Sequence, residues 1–286
     1  MRDLQIVFEE GVRDIDKGDI KHLEQLIAEN PGLLNERYAS PADGYFKHPY
    51  LLWFIANNPI REKESLPENI IEITTMLIRI AKEQGVPTLP YQLEYTLALV
   101  VSGRIPKEMG VQIQLAGLLI SEGAKPKGAI GALAHNNVAV ARYLTAEGEP
   151  VELITAVCLG LPEAKEMATK ASEPEKELAL IGAAFYGLLP ALQMLISLGI
   201  DVNAYPDRKR SKGFHSHATA LHQAVSSGSP DAVKLLVEAG ARLDLQDRIY
   251  QGTALDWAEY GLTEEKNGKE RIKKEAIVDY LKSKSV

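Results

Sequence analysis

The sequence is poor in cysteine and aromatic residues, and it has no excess of positive charge. Cys158 is the one cysteine in 286 residues, so no internal disulfide can form and no second thiolate can share a metal site. Aromatic residues make up 6% of the chain, which favours helices packed through small residues over a β sandwich. Against 32 basic residues stand 39 acidic ones, so the chain as a whole does not attract nucleic acid or an anionic membrane. We expect neither among its partners.

The motifs of several common enzyme classes are also missing from the sequence. It has no GxSxG elbow, no HExxH, no GxxxxGK[ST] phosphate loop and no GxGxxG after a strand. Cys158 lies in the apolar run ITAVCLG, which predicts a buried, unreactive thiol. We therefore predict that the protein is not an enzyme and that it holds no cofactor and no metal.

The start of the chain and one uncharged run bear on location. MRDLQIVFEEGV carries acidic residues and no long apolar run, so we expect no secretory signal and a cytoplasmic protein. Residues 178–200 are 23 residues without a charge, long enough for a membrane span. Because Gly187 and Pro190 divide this run, we predict two short buried helices instead.

A short pattern is repeated near the end of the sequence. TALHQAV at 219–225 recurs 34 residues later as TALDWAE at 253–259, and self-similarity at this period is typical of a solenoid. Glycine or asparagine recurs at the turn between successive apolar helices, because a residue there must tolerate the left-handed conformation. The predicted turn residues are Gly18, Asn57, Gly103, Asn136, Gly160, Gly187, Gly228 and Gly261.

The second helix of each predicted repeat has apolar residues at i, i+3 and i+4, the spacing of one buried stripe. We place Leu235 in the stripe of its helix, and we expect Gly228 and Gly261 to end helices with a positive φ. The predicted second helices are 20–27, 70–81, 112–120, 138–144, 190–198, 231–239 and 275–281.

These patterns resemble the ankyrin repeat family, in the form of bacterial ankyrin repeat-containing proteins. The resemblance rests on TALH at 219–222 with Ala224 and Gly228, on VKLLVEAGA at 233–241 and on GIDVN at 199–203. It is strong over 178–261 and weak over 1–90.

The resemblance implies an all-α solenoid of about eight helix-turn-helix repeats with short β-hairpin fingers and a concave, protein-binding surface. It also implies a structural role for Thr219 and His222, which tie the loop to the helix start. Asp256 replaces the histidine in the last repeat.

The repeat spacing predicts a single array over 1–286. It comprises degenerate repeats at 1–90, short central repeats at 91–176, best-matching repeats at 177–261 and a capping helix at 264–286. Turn intervals of 24 and 27 residues around Gly160 predict truncated fingers there. Two longer intervals hold insertions, at 59–69 and 203–218, and such insertions often lie on the binding face.

The insertion at 203–218 and the hairpin DRIYQG supply the candidate binding residues. Charge beside aromatic rings can grip an acidic peptide, a phosphate or single-stranded nucleic acid. A charge run is also common at a solvated loop tip, and no wider basic face supports nucleic acid. Tyr250 either anchors a partner or packs against the neighbouring finger. The candidate partner-binding residues are Tyr205, Arg208, Lys209, Arg210, Lys212, Phe214, His215, His217, Arg248 and Tyr250.

His215 and His217 leave a second class of function open. A His-x-His pair can hold zinc with a third ligand, although this spacing is not a known zinc signature. We expect the two histidines to cap or stack within an ordered hairpin. The sequence thus predicts a non-catalytic scaffold or adaptor that binds a protein partner, an acidic one, through its finger and loop side. The alternative is a ligand- or metal-binding enzyme that uses the His215/His217 loop.

Overall fold

The computed structural model describes residues 3–39, 44–56, 65–209, 211 and 213–284, and these residues form helices and no strands. Short 3₁₀ helices lie at Pro31–Leu34, Gly44–Phe46 and Leu51–Ala56. The α-helices are α1 (Leu4–Lys17), α2 (Ile20–Glu29), α3 (Ile70–Glu83), α4 (Leu89–Ser102), α5 (Arg104–Glu108), α6 (Gln112–Ser121), α7 (Ala129–Ala134), α8 (Val138–Ala146), α9 (Leu153–Leu159), α10 (Ala164–Lys170), α11 (Glu173–Phe185), α12 (Leu189–Ser197), α13 (Ala220–Ser226), α14 (Pro230–Glu238), α15 (Ala254–Glu264) and α16 (Gly268–Lys284).

The first compact unit, Met1–Glu149, is built from pairs of contacting helices. The pairs are α1 with α2, the 3₁₀ helix Leu51–Ala56 with α3, α4 with α6, and α7 with α8. Its aromatic core contains Trp53 and Phe54, both buried, with the Phe46 ring 5.2 Å from that of Phe54. Their burial places the run YLLWFIA, at 50–56, in the core of this unit.

The second compact unit, Pro150–Val286, has the same construction. Its pairs are α9 with α10, α11 with α12, α13 with α14, and α15 with α16. Together with the first unit, the described residues therefore contain about eight helix pairs, as the resemblance implies. That the two units form one continuous array over residues 1–286 stays a prediction.

The uncharged run 178–200 is divided into two helices, as predicted. α11 ends before Gly187, which has a φ of 62°, and Pro190 lies in the first turn of α12. Pro190 fits there because the first turn needs no amide proton from it. No helix in the described part of the chain is both long enough and apolar enough to cross a membrane.

The seven predicted second helices are confirmed as α2, α3, α6, α8, α12, α14 and α16. The truncated finger is confirmed too, since residues 171–172 alone connect α10 to α11. Cys158 is buried on α9, and this burial raises the pKa of its thiol to about 12, so it is an inert core residue as predicted.

Two of the predicted turn glycines, Gly261 and Gly103, do not have the positive φ expected of them. Gly261 lies inside α15, with no positive φ, and its carbonyl accepts a hydrogen bond from Lys274 Nζ at 3.0 Å. Gly103 has a φ of −72° and precedes α5; a Cβ there would lie 2.9 Å from the Leu99 carbonyl oxygen. Close packing, and not backbone conformation, therefore favours glycine at position 103. Asn57 is outside the described residues.

The remaining turn residues are confirmed, because each has a positive φ: Gly18 (73°), Asn136 (58°), Gly160 (65°), Gly187 (62°) and Gly228 (67°).

The core position expected at Leu235 was wrong by one residue. Leu236 is fully buried, together with Ala232 and Val233, whereas Leu235 is half-exposed. α14 turns this stripe toward α12, α13 and α16, and Leu235 falls at its edge. The apolar pattern VKLLVEA allows either leucine, so packing against the neighbouring helices decides between them.

Candidate partner-binding site

The finger between α14 and α15 is organised by one buried carboxylate. Asp247 accepts hydrogen bonds from the backbone N–H groups of Ile249 (2.9 Å), Tyr250 (2.7 Å) and Gly252 (3.0 Å). It also accepts one from Trp257 Nε1 at 3.0 Å. Burial acts to raise the pKa of Asp247, but these four donors outweigh it and hold the pKa at about 2. The turn is therefore fixed around a charged group at neutral pH.

This finger is a tight turn with little sheet character. Gln246 and Thr253 form an antiparallel bridge, and Asp247 N–H donates to the Gly252 carbonyl at 2.8 Å. Its tip presents Tyr250 to solvent, with 77% of the residue exposed. Of the two alternatives for Tyr250, this exposure favours the binding anchor.

His222 ties the finger to α13, as the resemblance implies. Its Nδ1 lies 2.8 Å from Thr219 Oγ1, and its Nε2 lies 3.1 Å from the Gly252 carbonyl oxygen. Burial lowers the pKa of His222, which suits a neutral ring that donates to one group and accepts from the other. Asp256, the substitute in the last repeat, instead forms a capping box with Thr253 at the start of α15.

The insertion 203–218 is anchored to the finger from the side. Tyr205 Oη donates to the Gln246 carbonyl at 2.6 Å, and the Arg248 guanidinium lies 4.0 Å above the Tyr205 ring. Asn203 reaches the same segment, because Arg242 N–H donates to its Oδ1 at 2.8 Å. These contacts bring Tyr205 and Arg248 together, which sequence spacing alone does not show.

Phe214 lies beneath this loop and not on its surface. It is 4% exposed, and its ring is 5.4 Å from that of Phe185 at 88°. Its burial orders the insertion from below, so we leave Phe214 out of the surface that a partner meets. Arg208 and Lys209 are exposed, while Arg210 and Lys212 lie outside the described residues.

His215 and His217 stack, in agreement with the expected hairpin. Their ring centroids are 5.2 Å apart at 26°, and the His217 ring is 6.0 Å from Tyr250. Both rings also approach Trp257, at 6.2 and 5.9 Å. The described residues contain no group of three or more His, Cys, Asp or Glu side chains that is placed to hold a metal ion.

A groove of about 740 Å³ opens between the finger and α15. Trp257 and Ala258 line it from α15, Tyr250 from the finger tip, and Lys274 and Ile277 from α16. Tyr260 stands at its edge with 70% of the residue exposed. The Lys274 ammonium group pairs with Glu265 at 3.0 Å, so its charge is already neutralised.

Sequence reasoning missed Trp257, Tyr260 and Lys274. A signal for Tyr260 existed, because on α15 it follows the exposed Asp256 by four residues and lies next to the exposed Glu259. A large aromatic side chain on the charged face of a helix has no packing explanation there. Lys274 could not be found in this way, because only the packing of α16 on α15 brings it to the groove.

Comparisons with known proteins agree with this architecture. Residues 112–247 match the family model for ankyrin repeats (3 copies). The mouse (Mus musculus) ankyrin repeat and SOCS box protein 6 is 38% identical over 80 residues, which are 28% of this chain and 18% of that protein. This chain therefore spans less than a fifth of that relative's length.

A solved structure is similar as well. The crystal structure of the ankyrin repeat domain of Bcl-3, a member of the IkappaB protein family, is 20% identical, with a TM-score of 0.32. That similarity covers 72% of this chain and 92% of the Bcl-3 chain. Residues 112–247 of this chain are therefore ankyrin repeats.

Proposed function

We propose that this protein binds a protein partner, without catalysis, through the finger surface of its second unit. The finger surface comprises Tyr205, Arg208, Lys209, Arg248, Tyr250 and Tyr260. Ankyrin repeats generally act as protein–protein interaction modules and are typically not enzymes. That general role supports the class of function, and the geometry of the second unit supports the location.

The observation that carries the proposal is the pair of exposed tyrosines beside the groove. Tyr250 and Tyr260 are 77% and 70% exposed, and Trp257 lines the groove with them. Large aromatic side chains that remain in water gain free energy when a partner covers them, and they dominate many interfaces. Because the four hydrogen bonds of Asp247 fix the turn, little conformational entropy is lost when Tyr250 is covered.

The charges of the finger surface support an acidic partner. Arg208, Lys209 and Arg248 are exposed on the finger surface, although the chain as a whole carries a formal charge of −7. A local basic patch on an acidic protein steers an acidic segment toward that patch and repels it elsewhere.

The alternative function, a metal- or ligand-dependent enzyme at the His215/His217 loop, finds less support. The two rings stack on each other and approach Trp257, and the described residues offer them no third ligand in place. Nucleic acid is also disfavoured as a partner, because the basic patch is narrow and no wider basic face supports it.

An affinity purification with matched variants tests the proposal. Wild-type protein and the Tyr250→Ala/Tyr260→Ala variant are used to capture partners from native lysate under identical conditions. We expect the double variant to lose the proteins that the wild type retains. The control is Ile272→Ala, since Ile272 is 66% exposed but does not line the groove, and it should retain them. Equal retention by the double variant would place the binding surface elsewhere.

A further inference from the structure

The first unit contains a cluster of aromatic rings that surrounds an arginine. The Arg37 guanidinium lies 4.7 Å from the ring centroid of Tyr50 and 5.8 Å from those of Trp53 and Tyr91. Each distance is within the range in which a ring attracts a cation. One cation therefore contacts three rings, and we call Tyr50, Trp53 and Tyr91 the aromatic box.

The rings of the aromatic box are held in place without the help of Arg37. The centroids of Tyr50 and Trp53 are 5.6 Å apart, and Tyr91 lies 6.3 and 6.2 Å from them. The ring of Tyr95 stacks on Trp53 at 3.9 Å from the other side. Tyr50 and Trp53 are buried, whereas Tyr91 is 47% exposed and forms the open wall. Removal of the guanidinium would thus leave a preformed recess open to solvent.

Among the described residues, Arg37 meets this site through the three rings. No described carboxylate forms an ion pair with it, and the residue is exposed. Hydrogen bonding to the Tyr50 hydroxyl is the main cause that raises the pKa of Arg37, and the Tyr91 hydroxyl adds to it. A guanidinium has N–H groups for these hydroxyl oxygens, and a fully methylated ammonium has none.

We propose that the aromatic box is a binding site for an arginine side chain of a partner protein, which enters in exchange for Arg37. The exchange replaces one guanidinium by another of the same chemistry, so the rings and hydroxyl groups lose no contact. Arg37 has the advantage of being tethered, which raises its effective concentration at the box. The wild-type protein therefore takes up a free arginine side chain weakly, and removal of Arg37 should strengthen uptake.

This site lies in the unit Met1–Glu149 and does not rest on the function proposed for the finger surface. It would give the protein a second contact point, selective for a basic residue, while the finger surface takes an acidic segment. The two proposals can fail separately, since they use different residues and ligands of opposite charge.

Nuclear magnetic resonance of the two tryptophan indole N–H groups tests the aromatic box. Trp53 reports on the box, and Trp257, in the other unit, serves as the internal control. The probe is N-acetyl-arginine methylamide, titrated into the wild type and into Arg37→Ala. We expect a saturable shift of the Trp53 signal in Arg37→Ala, with an affinity roughly tenfold or more above that of the wild type. The Trp257 signal should not move.

Two comparison probes distinguish the chemistry of the ligand. The citrulline analogue has the same shape but no charge, and tetramethylammonium has the charge but no N–H group. Both should bind Arg37→Ala roughly tenfold more weakly than the arginine probe. Equal binding of citrulline would overturn a cation site, and equal binding of tetramethylammonium would overturn the assignment to guanidinium.

Folding is monitored so that the outcome is decisive. Thermal melts by circular dichroism establish whether Arg37→Ala is folded. If Arg37→Ala does not fold, Arg37→Gln, which keeps most of the aliphatic stem, is used in its place. Adding Tyr91→Leu to the Arg37 variant should abolish the Trp53 shift. A folded Arg37 variant with no saturable shift of Trp53 would overturn the proposal.

Discussion

Asp247 holds the tip of the finger through a single buried carboxylate. Four donors converge on it, three of them backbone N–H groups that no helix or strand satisfies. A buried charge is tolerated only when it is hydrogen-bonded in this way. The position of the exposed Tyr250 is consequently set by a residue that is itself fully buried.

We predict that Asp247→Asn destabilises the protein by about 2–3 kcal/mol at pH 7, because an amide replaces a charged acceptor and its NH₂ faces N–H donors. Urea denaturation gives the measurement. Asp244→Asn is the control, since Asp244 is exposed and pairs with Arg242 at 2.6 Å on the surface. This substitution should leave the stability unchanged within the error of the measurement.

The effect of Asp247 should also depend on pH in one direction. Its pKa is lowered from 3.8 to about 2 in the folded protein, so the unfolded chain takes up the proton first. The stabilisation is therefore present above pH 4 and is lost as the pH falls toward 2. The difference in the free energy of unfolding between wild type and Asp247→Asn should therefore become smaller as the pH falls through that window. A constant difference would show that the carboxylate charge is not what holds the turn.

The side chains of α14 that stabilise the protein lie in a narrow buried stripe. Leu236 is fully buried and Leu235 is half-exposed, although they are adjacent and chemically identical. We predict that Leu236→Ala costs about 2–5 kcal/mol, because it leaves a cavity, and that Leu235→Ala costs about 1 kcal/mol. Chemical denaturation of the two variants compares them directly. Equal midpoints would contradict the register of α14.

Replacing glycine by alanine should change the free energy of unfolding in opposite directions at Gly228 and Gly261. Gly228 has a φ of 67° just beyond α13, so Gly228→Ala forces a strained backbone and should cost about 1 kcal/mol. Gly261 lies inside α15 without a positive φ, and a Cβ there would lie 3.9 Å from Lys274 Nζ. Gly261→Ala should therefore stabilise the helix by about 0.5–1 kcal/mol. Thermal melts that shift in the same direction would refute this assignment.

For the whole molecule, the unequal distribution of charge should control the rate of association. The chain has a formal charge of −7, yet Arg208, Lys209 and Arg248 are exposed on the finger surface. Changing all three to glutamate should slow association with an acidic partner by about tenfold or more at low salt. The effect should shrink as salt screens the charges.

Surface plasmon resonance at low and moderate salt, with the captured partner, measures these rates. The matched control changes Lys165, Lys234 and Lys269 to glutamate, which alters the net charge equally at exposed residues that do not line the groove. This control should slow association much less. Equal slowing by both variants would mean that net charge, and not the finger surface, directs the partner.

The sequence by itself determined the features that depend on a few neighbouring residues. The seven second helices follow from apolar spacing, the break at Gly187 and Pro190 from backbone chemistry, and the positive φ of Gly228 from the need to end a helix. The contact between Thr219 and His222 was implied by the resemblance to ankyrin repeats, and not by the spacing of residues alone.

Tertiary structure decided which side of each element meets a neighbour. It buried Phe214 against Phe185, selected Leu236 over Leu235, and extended α15 through Gly261. It also brought Lys274 of α16 to the groove of Tyr250 and Tyr260, and placed Arg37 within the aromatic box. Periodicity fixes the angle of a side chain around its own helix to within one position. The final register and the contacts between distant segments depend on how neighbouring repeats fill the shared space, and that information is not local.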